Sequence, residues 1–388
     1  MSEKNLLIIC NNFPNQDNSF VGGIFIKEQI KYLKNYFNNV YVISPVAYGM
    51  ELLRGINHFD YRYDNVKVFF PKYINNPLFW YYGKAIWIDL ETRTILSLIK
   101  KENLQFNLIH AHYTWPSGAV ATNIKKILGV PVVITEHTHQ TLYHALDKKD
   151  KYYSNTWHDC DSIIRVNKKD VPLILNSGID LSKVHSIANG FDPKKYYPIE
   201  KEKARQLLGL PTELKLILTI SRLYSEKGQR YLISAIKDIV RVRDDVICYI
   251  GGTGPLKQDL EDQISSLNLQ KYVKLVGFIP DNQMSLWINA ADIFILPSLG
   301  EGNPTIMFEC LGCGKPFVGT KVGGIPEIIT SDRYGLLVDP ANSDDLAEKI
   351  SIALDKEWDQ NAIRVYAERY TWEKIASEIM DVYKQVLG

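Results

Sequence analysis

Long apolar runs are missing from this 388-residue chain. No segment approaches the roughly 18 consecutive apolar residues that a transmembrane helix needs, so no membrane span is expected. Excess charge of either sign is missing too. Lys+Arg 45 against Asp+Glu 44 leaves a formal net charge of +1, and no long basic run stands out. That balance argues against a dedicated nucleic-acid binder. Cysteine is scarce: the five, Cys10, Cys160, Cys248, Cys310 and Cys313, form no even disulfide framework and suit a reducing cytoplasm. Cys310 and Cys313 make a CxxC, but a zinc site needs four ligands and no second CxxC or His pair at ligand spacing accompanies it. They read as small residues buried where a helix ends at Gly314. The opening MSEKNLLIICNNFPN is too short in its apolar core and wrongly flanked for a secretory signal, and reads as a first strand.

What is present is an ordinary folded composition, 46% hydrophobic and 23% charged, in a chain too long for one growing core. Short β-branched runs alternate with amphipathic stretches: LLIIC, then IFIKEQIKYLKNYF; VYVIS; FNLIHAH, then AVATNIKKIL; VPVVITEH; SIIRV; VHSIA. The rhythm restarts with LKLILTIS, YLISAIKDIV, VICYIGG, VKLVGF, MSLWINAA, IFILPS, TIMFECLG, PFVGT and GLLV. Strand, crossover helix, strand implies a parallel sheet covered on both faces. The expected architecture is α/β: two Rossmann-like, doubly wound parallel-sheet domains facing across a cleft. Asn-Gly, Asp-Pro and Tyr-Pro interrupt regular structure over residues 187–211, which places the boundary near Pro198. The expected domains are 1–198 and 199–370, with a last helix, 371–388, packing back on the first.

Three strand-to-helix junctions of the second half carry chemistry. In VICYIGGTGPLKQDLEDQI, residues 246–264, a buried strand runs into Gly252, Thr253 and Gly254 before Pro255 opens a helix. Such a turn presents backbone N–H groups and a helix N-terminus to an anion, typically phosphate. A tight turn without a ligand is the plainer alternative. It is not GxGxxG, and the amino-terminal strand lacks that fingerprint, which disfavours a nicotinamide dehydrogenase. In SRLYSEKG, residues 221–228, Arg222 and Lys227 can clamp a diphosphate that gains charge as it departs, or can be solvated loop charges. In PSLGEGNPTIMFE, residues 297–309, Glu301 sits in a loop and Glu309 about one turn into a helix that begins near Thr305. A carboxylate there can accept hydrogen bonds from vicinal hydroxyls, and the amides from Pro304 to Met307 can receive phosphate. Glu309 can equally be a first-turn charge favoured by the helix dipole.

With GKPFV at 314–318 and GGIPEII at 323–329, these motifs follow in the order found in the carboxyl-terminal domain of the GT-B retaining glycosyltransferases of family 4, which the second half resembles. The first half is similar more loosely, through FPNQDNSFVGGIFIKEQ, HAHYTWPSG, ITEH and IANGFD. The resemblance implies that Arg222 and Lys227 bind the donor diphosphate, Glu309 the ribose hydroxyls and Glu301 the transferred sugar. It also implies that Gly252, Gly254, Asn303, Pro304 and Thr305 line the donor, that Gly23 closes on the diphosphate and that His137 lies beside the donor sugar. Ser221 stands where the family usually has glycine, and Asn303-Pro304-Thr305 where an aromatic-glycine pair is commoner; the second departure bears on donor identity.

Three other patterns are weighed as decoys. Asp159-Cys160-Asp161 spells a metal-binding DxD, but it ends a helix that leads into a strand. His110, His112, His137 and His139 end strands and are expected to point into the cleft for hydrogen bonding rather than ligation. Glu301 and Glu309 as a hydrolase pair lose to the diphosphate-binding turns. In YINNPLFWYYGKAIWIDL, residues 73–90, Trp80, Tyr81, Tyr82 and Trp87 suit either a bilayer interface or a buried core helix.

The expected function is therefore retaining transfer of a hexose or N-acetylhexosamine from a nucleotide diphosphate sugar to a saccharide or lipid-linked acceptor. No metal and no other cofactor is expected, nor nucleic acid. The expected location is cytoplasmic, with peripheral membrane contact open. The alternatives are a nucleotide-sugar epimerase of the same plan and a non-catalytic sugar-binding protein.

Overall fold

The computed structural model describes residues 4–18, 20, 22–51, 55–76, 79 and 83–388, which form two compact units. One comprises residues 1–188 and 372–388, the other 189–371.

Among its described residues the first unit holds ten strands: β1 (Asn5–Ile9), β2 (Asn39–Ile43), β3 (Val46–Ala47), β4 (Tyr61–Tyr63), β5 (Val66–Phe69), β6 (Lys72–Tyr73), β7 (Leu108–His112), β8 (Val132–Glu136), β9 (Ser162–Arg165) and β10 (Val184–Ser186). Eight of them form a sheet in the order β10-β9-β8-β7-β1-β2-β5-β4, and β3 pairs with β6 apart from it. Every residue of β1, β7 and β8 is buried. This is what a parallel strand covered on both faces requires, and why these runs are apolar throughout instead of alternating. The register sets Leu6 beside Val40 on one side and Leu108 on the other. The parallel expectation fails at one edge, where β4 runs antiparallel to β5. Asp64, at φ +47°, turns the chain between them in a tight hairpin.

Helices α1 (Ile24–Leu33) and α2 (Lys84–Lys101) belong to this unit. The core on one face of the sheet joins Ile26, Ile30 and Leu33 of α1 to Trp372, Ile375, Ile379 and Tyr383 of the last helix.

The second unit is a six-stranded sheet, all parallel, in the order β13-β12-β11-β14-β15-β16. Its strands are β11 (Lys215–Ile220), β12 (Val246–Gly251), β13 (Val273–Gly277), β14 (Ile293–Leu296), β15 (Phe317–Thr320) and β16 (Gly335–Val338). Helices α3 (Gln229–Ile239), α4 (Lys257–Ser266) and α5 (Thr305–Gly312) follow β11, β12 and β14, and the chain ends on α6 (Trp372–Leu387).

The division between the units falls at Ala188/Asn189, ahead of the boundary expected near Pro198. Residues from Asn189 onward are tied into the second unit. Asn189 bonds to Asn303, Phe191 packs on Gly312 and pairs with Thr371, and Ile199 N donates to Asn289 Oδ1 at 2.8 Å.

Candidate functional site

In open α/β sheets ligands sit outside the carboxyl ends of the strands, where the strand order reverses. In the second unit that reversal lies between β11 and β14. The loops leaving these two strand ends, 221–228 and 297–304, carry Arg222, Lys227, Glu301, Asn303 and Pro304.

Lys227 Nζ donates to Glu301 Oε1 at 2.7 Å, and Ser298 Oγ donates to the same oxygen at 2.6 Å. Glu301 is 8% exposed, so its carboxylate is held in place by these two donors. The loops are also joined through Leu299 N, which donates to Glu226 O at 2.7 Å. Gln229, buried at the start of α3, spans the first loop by donating from Nε2 to Ser221 Oγ and Arg222 O, both at 2.9 Å. Arg222 itself reaches toward solvent, its guanidinium 4.9 Å from the Tyr224 ring and 3.8 Å from Glu226.

Two glycines explain how these loops come so close. Gly252, at φ +132°, has Ser221 O where a Cβ would stand, only 1.9 Å from it. A Cβ on Gly323, at φ +51°, would likewise stand 1.9 Å from Glu301 O, and Gly324 N donates to Gly302 O at 2.8 Å. No side chain fits at either position. Gly254 lies against the Leu223 carbonyl, and Leu223 N donates to Thr253 O at 2.9 Å. The expectation of a free amide and a helix opening at Pro255 needs correction. Gly252 N donates to Gly277 O at 2.7 Å, and α4 begins at Lys257, so the turn fastens the Arg222 loop to β12.

Asn303 is 5% exposed, and Asn189 occupies it from two sides. Asn189 N donates to Asn303 Oδ1 at 3.2 Å, and Asn189 Nδ2 donates to Asn303 O at 2.6 Å. Asn303 Nδ2 remains buried without a partner. Pro304 caps α5, Thr305 is its first residue, and Glu309 is half-buried one turn further on. The Met307 amide, expected to be open to phosphate, turns back to Pro304 O at 3.2 Å. A cavity of about 280 Å³ opens on the other side of the first loop, between α3 and α4; Tyr224, Gly228 and Asp259 line it, and none of the candidate residues does.

In the first unit, Gly23 precedes α1, close under Asn12 O. His137 follows β8, half-buried, with His112 Nδ1 2.9 Å from its Nε2 and the two rings stacked 14° apart. Phe25 meets it edge-on at 4.8 Å, and its Nδ1 is buried without a partner. His110 does not face an opening as expected. It is fully buried, bonded to Thr135 Oγ1 at 2.7 Å and to Tyr383 OH at 2.5 Å, because α6 covers it. His112 is fully buried as well. Burial pushes His110 down to about 3 and lowers His112 and His137, with the Arg165 charge adding to the lowering of His137, so the three imidazoles are neutral.

Several residues that position the site went unread in the sequence: Ser298, Gln229, Asn189, and in the first unit Arg165, Asp170 and Tyr383. Arg165, fully buried, donates from NH1 to Glu136 O at 2.7 Å and pairs with Asp170, which fixes the backbone one residue before His137. An arginine closing the apolar run SIIR was the available signal.

The decoys resolve into structure. Asp159 pairs with Lys126, and Asp161 pairs with Lys125 while accepting from Val132 N at 2.8 Å. All five cysteines are free and buried. Among the described residues no group of three or more His, Cys, Asp or Glu is arranged to hold a metal ion, and no helix is long and apolar enough to cross a membrane. Trp80, Tyr81 and Tyr82 lie outside the described residues. Trp87 packs edge-on against Trp115 and donates to Glu91 Oε2 at 3.0 Å.

Comparison with known proteins adds the following. Residues 23–195 match the family described as Glycosyltransferase Family 4, and residues 200–370 the family described as Glycosyl transferases group 1. The chain is 28% identical over 366 residues to an uncharacterized glycosyltransferase of Methanocaldococcus jannaschii, covering 88% of each chain. It is 25% identical to a D-inositol 3-phosphate glycosyltransferase of Corynebacterium glutamicum, over 76% of each. Among solved structures, sucrose-phosphate synthase from Thermosynechococcus elongatus superposes with a TM-score of 0.80 at 19% identity, covering 98% of each chain. HepE of Anabaena in complex with UDP-glucose gives 0.76 at 21%, covering 98% of this chain and 99% of that one.

Proposed function

Because the chain belongs to the glycosyltransferases of the GT-B type, a family 4 domain followed by a group 1 domain, we propose that it moves a hexose or N-acetylhexosamine from a nucleotide diphosphate sugar to a saccharide or lipid-linked acceptor, with retention of configuration. The observation that carries this reading is the Lys227–Glu301 pair at the strand-order reversal of the second sheet. An ammonium has three N–H donors and Glu301 takes one, leaving the others for phosphate oxygens, while a fixed carboxylate accepts from sugar hydroxyls. HepE, solved with UDP-glucose, supports a nucleotide-sugar donor.

In this reading Arg222 and Lys227 grip the diphosphate, and Gly252 and Gly254 hold their loop in place. The start of α5 at Pro304 and Thr305 shares the phosphate charge, Asn303 Nδ2 offers a donor, Glu309 takes the ribose hydroxyls and Glu301 the transferred sugar. The bond from the anomeric carbon to the phosphate oxygen breaks, the ring gains positive charge, and the phosphate gains negative charge that the two cations stabilise. An acceptor hydroxyl attacks from the face the phosphate leaves and bonds to the anomeric carbon, and its proton passes to the departing phosphate. With protein cations supplying the counter-charge, we read the reaction as metal-independent.

Calorimetric titration of UDP-glucose into wild type and Glu309→Gln tests the donor assignment. Losing a charged acceptor costs about 1.5–3 kcal/mol, a roughly 10-fold to 150-fold weaker affinity. Equal affinities would overturn it. NMR of the product anomer decides retention.

A further inference from the structure

His112 and His137 share one hydrogen bond and leave one nitrogen over on each ring. His112 Nδ1 lies 2.9 Å from His137 Nε2, while His112 Nε2 and His137 Nδ1 are both buried without a partner. Burial keeps the two rings neutral. A neutral imidazole carries one N–H and one bare nitrogen, so only two arrangements exist. In the first, His112 Nδ1–H donates to His137 Nε2, and the His137 proton sits on Nδ1. In the second, His137 Nε2–H donates to His112 Nδ1, and the His112 proton sits on Nε2.

Each arrangement leaves one N–H with no acceptor in the protein, and they differ in where it stands. An N–H shut away from water and unpaired forfeits its hydration with nothing in return. His112 is fully buried, with the His110 ring stacked 4.4 Å from its own, so an N–H on its Nε2 has no route to an acceptor. His137 is half-buried at the end of β8, where a ligand oxygen can take its proton. The first arrangement is therefore favoured.

The His137 ring is also held to one orientation. Glu136, fully buried, accepts from Thr138 N and Thr138 Oγ1 at 2.6 Å and from Thr114 N at 2.9 Å, which pins the residue after His137. Arg165 holds the carbonyl before it. Phe25 and Tyr113 meet the ring edge-on, 4.8 and 5.3 Å away, and His112 stacks on it at 5.2 Å.

We propose that His112 is a positioning residue: by donating to His137 Nε2 it holds His137 as the Nδ1–H tautomer, a hydrogen-bond donor to an oxygen of the sugar substrate and not a proton acceptor. The inference rests on the reading of the chain as a sugar transferase and names the part His137 plays in it. A base at this position needs its bare nitrogen toward the substrate, and here the bare nitrogen is taken by His112.

Long-range proton–nitrogen NMR of the protein with 15N-labelled histidine reads the tautomer with no ligand present, and the signals missing from His137→Ala assign the residue. The His137 proton is expected on Nδ1, and so is that of His112. A His137 proton on Nε2 would overturn the proposal, and because this spectrum is of the wild type, misfolding of a variant does not touch it. His112→Phe keeps a ring in the stack and removes the N–H, so His137 is expected to become a mixture of tautomers. His112→Asn, whose amide N–H can stand near the place of Nδ1, should restore the wild-type form. Calorimetry with UDP-glucose and with UDP then reads the consequence. In His112→Phe the affinity for UDP-glucose relative to UDP should fall about threefold to tenfold, the worth of one neutral hydrogen bond, with recovery in His112→Asn. An unchanged ratio in His112→Phe, or a fall with the wild-type tautomer retained, would count against it. The two readings fail separately: a wild type that does not bind UDP-glucose sinks the donor assignment, and the ligand-free spectrum still decides the tautomer.

Discussion

At the scale of single residues, the Lys227–Glu301 pair joins two side chains largely removed from water, 17% and 9% exposed. Taking away one partner strands the other charge, which costs about 3 kcal/mol, more than the pair contributes net. Glu301→Gln and Lys227→Met are each expected to lower stability by that order in urea denaturation. The double substitution should lose at least about 1 kcal/mol less than the sum; strictly additive losses would mean the two do not interact. The histidines give a pH signature. His110, His112 and His137 titrate lower in the folded protein than the usual value of about 6.5. Below that value the unfolded chain therefore binds more protons. Stability is complete above about pH 6.5 and falls as pH drops toward the folded values, by up to about 1.4 kcal/mol per pH unit per histidine. Glu91, raised to about 7, works in the opposite sense and offsets one of the three. Denaturant midpoints from pH 7.5 to 5.5 should decline, and more steeply in Glu91→Gln; a flat profile in both would contradict the buried neutral assignment. The positions of Arg222, Lys227 and Glu301 at strand ends, with Glu309 one turn into the helix that follows, were legible, because a loop between an apolar run and an amphipathic one can lie nowhere else. Their partners were not. Ser298, Gln229 and Asn189 matter through contacts that only the folded chain creates, and His110 is closed off by Tyr383, 273 positions away.

At the scale of elements, the buried parallel strands announce themselves as continuous apolar runs, as β11, β12 and β14 do, while the outer β13 carries exposed Lys274 and β16 is only partly buried. The edge of the first sheet forms no such run. The edge strand Tyr61–Tyr63 and its neighbour Val66–Phe69 are short and carry exposed Arg62 and Lys67 on a face left open to solvent. Such interruption keeps an edge from pairing with another chain and hides it from a search for apolar runs. Helix α6 shows the opposite case. Trp372, Ile375, Ala376, Ile379, Met380, Val382 and Tyr383 are spaced to cover one helical face, and all are buried in the core of the first unit. Trp372 and Tyr383 alone make truncation severe, since removing one large buried aromatic side chain costs about 3–5 kcal/mol. Ending the chain at Thr371 is expected to leave the first unit unfolded, seen as loss of its amide dispersion in NMR while the signals of residues 189–371 persist. A truncated chain with both units intact would show that α6 is dispensable.

At the scale of the molecule, the chain leaves its first unit at Ala188 and returns to it at Trp372, so the second unit is an insertion within the first. Each has its own core: one built on Leu6, Ile8, Val40 and Trp372, the other on Ile217, Leu232, Ile250 and Ile350. Separate cores allow separate melting, and multi-domain chains commonly depart from a single cooperative step. Calorimetry of the full chain is expected to resolve two transitions. Apart from Gly23, the residues assigned to the nucleotide diphosphate lie in the second unit, so UDP-glucose should act mainly on one transition. A ligand at 100 times its dissociation constant adds about 2.7 kcal/mol to the state that binds it. That increment should appear in the transition that Glu301→Gln lowers, and Tyr383→Phe should lower the other one. A single transition, displaced as a whole by nucleotide sugar and by both substitutions alike, would mean that the two cores fold as one, and the assignment of donor binding to the second unit would then have to rest on Glu309→Gln alone.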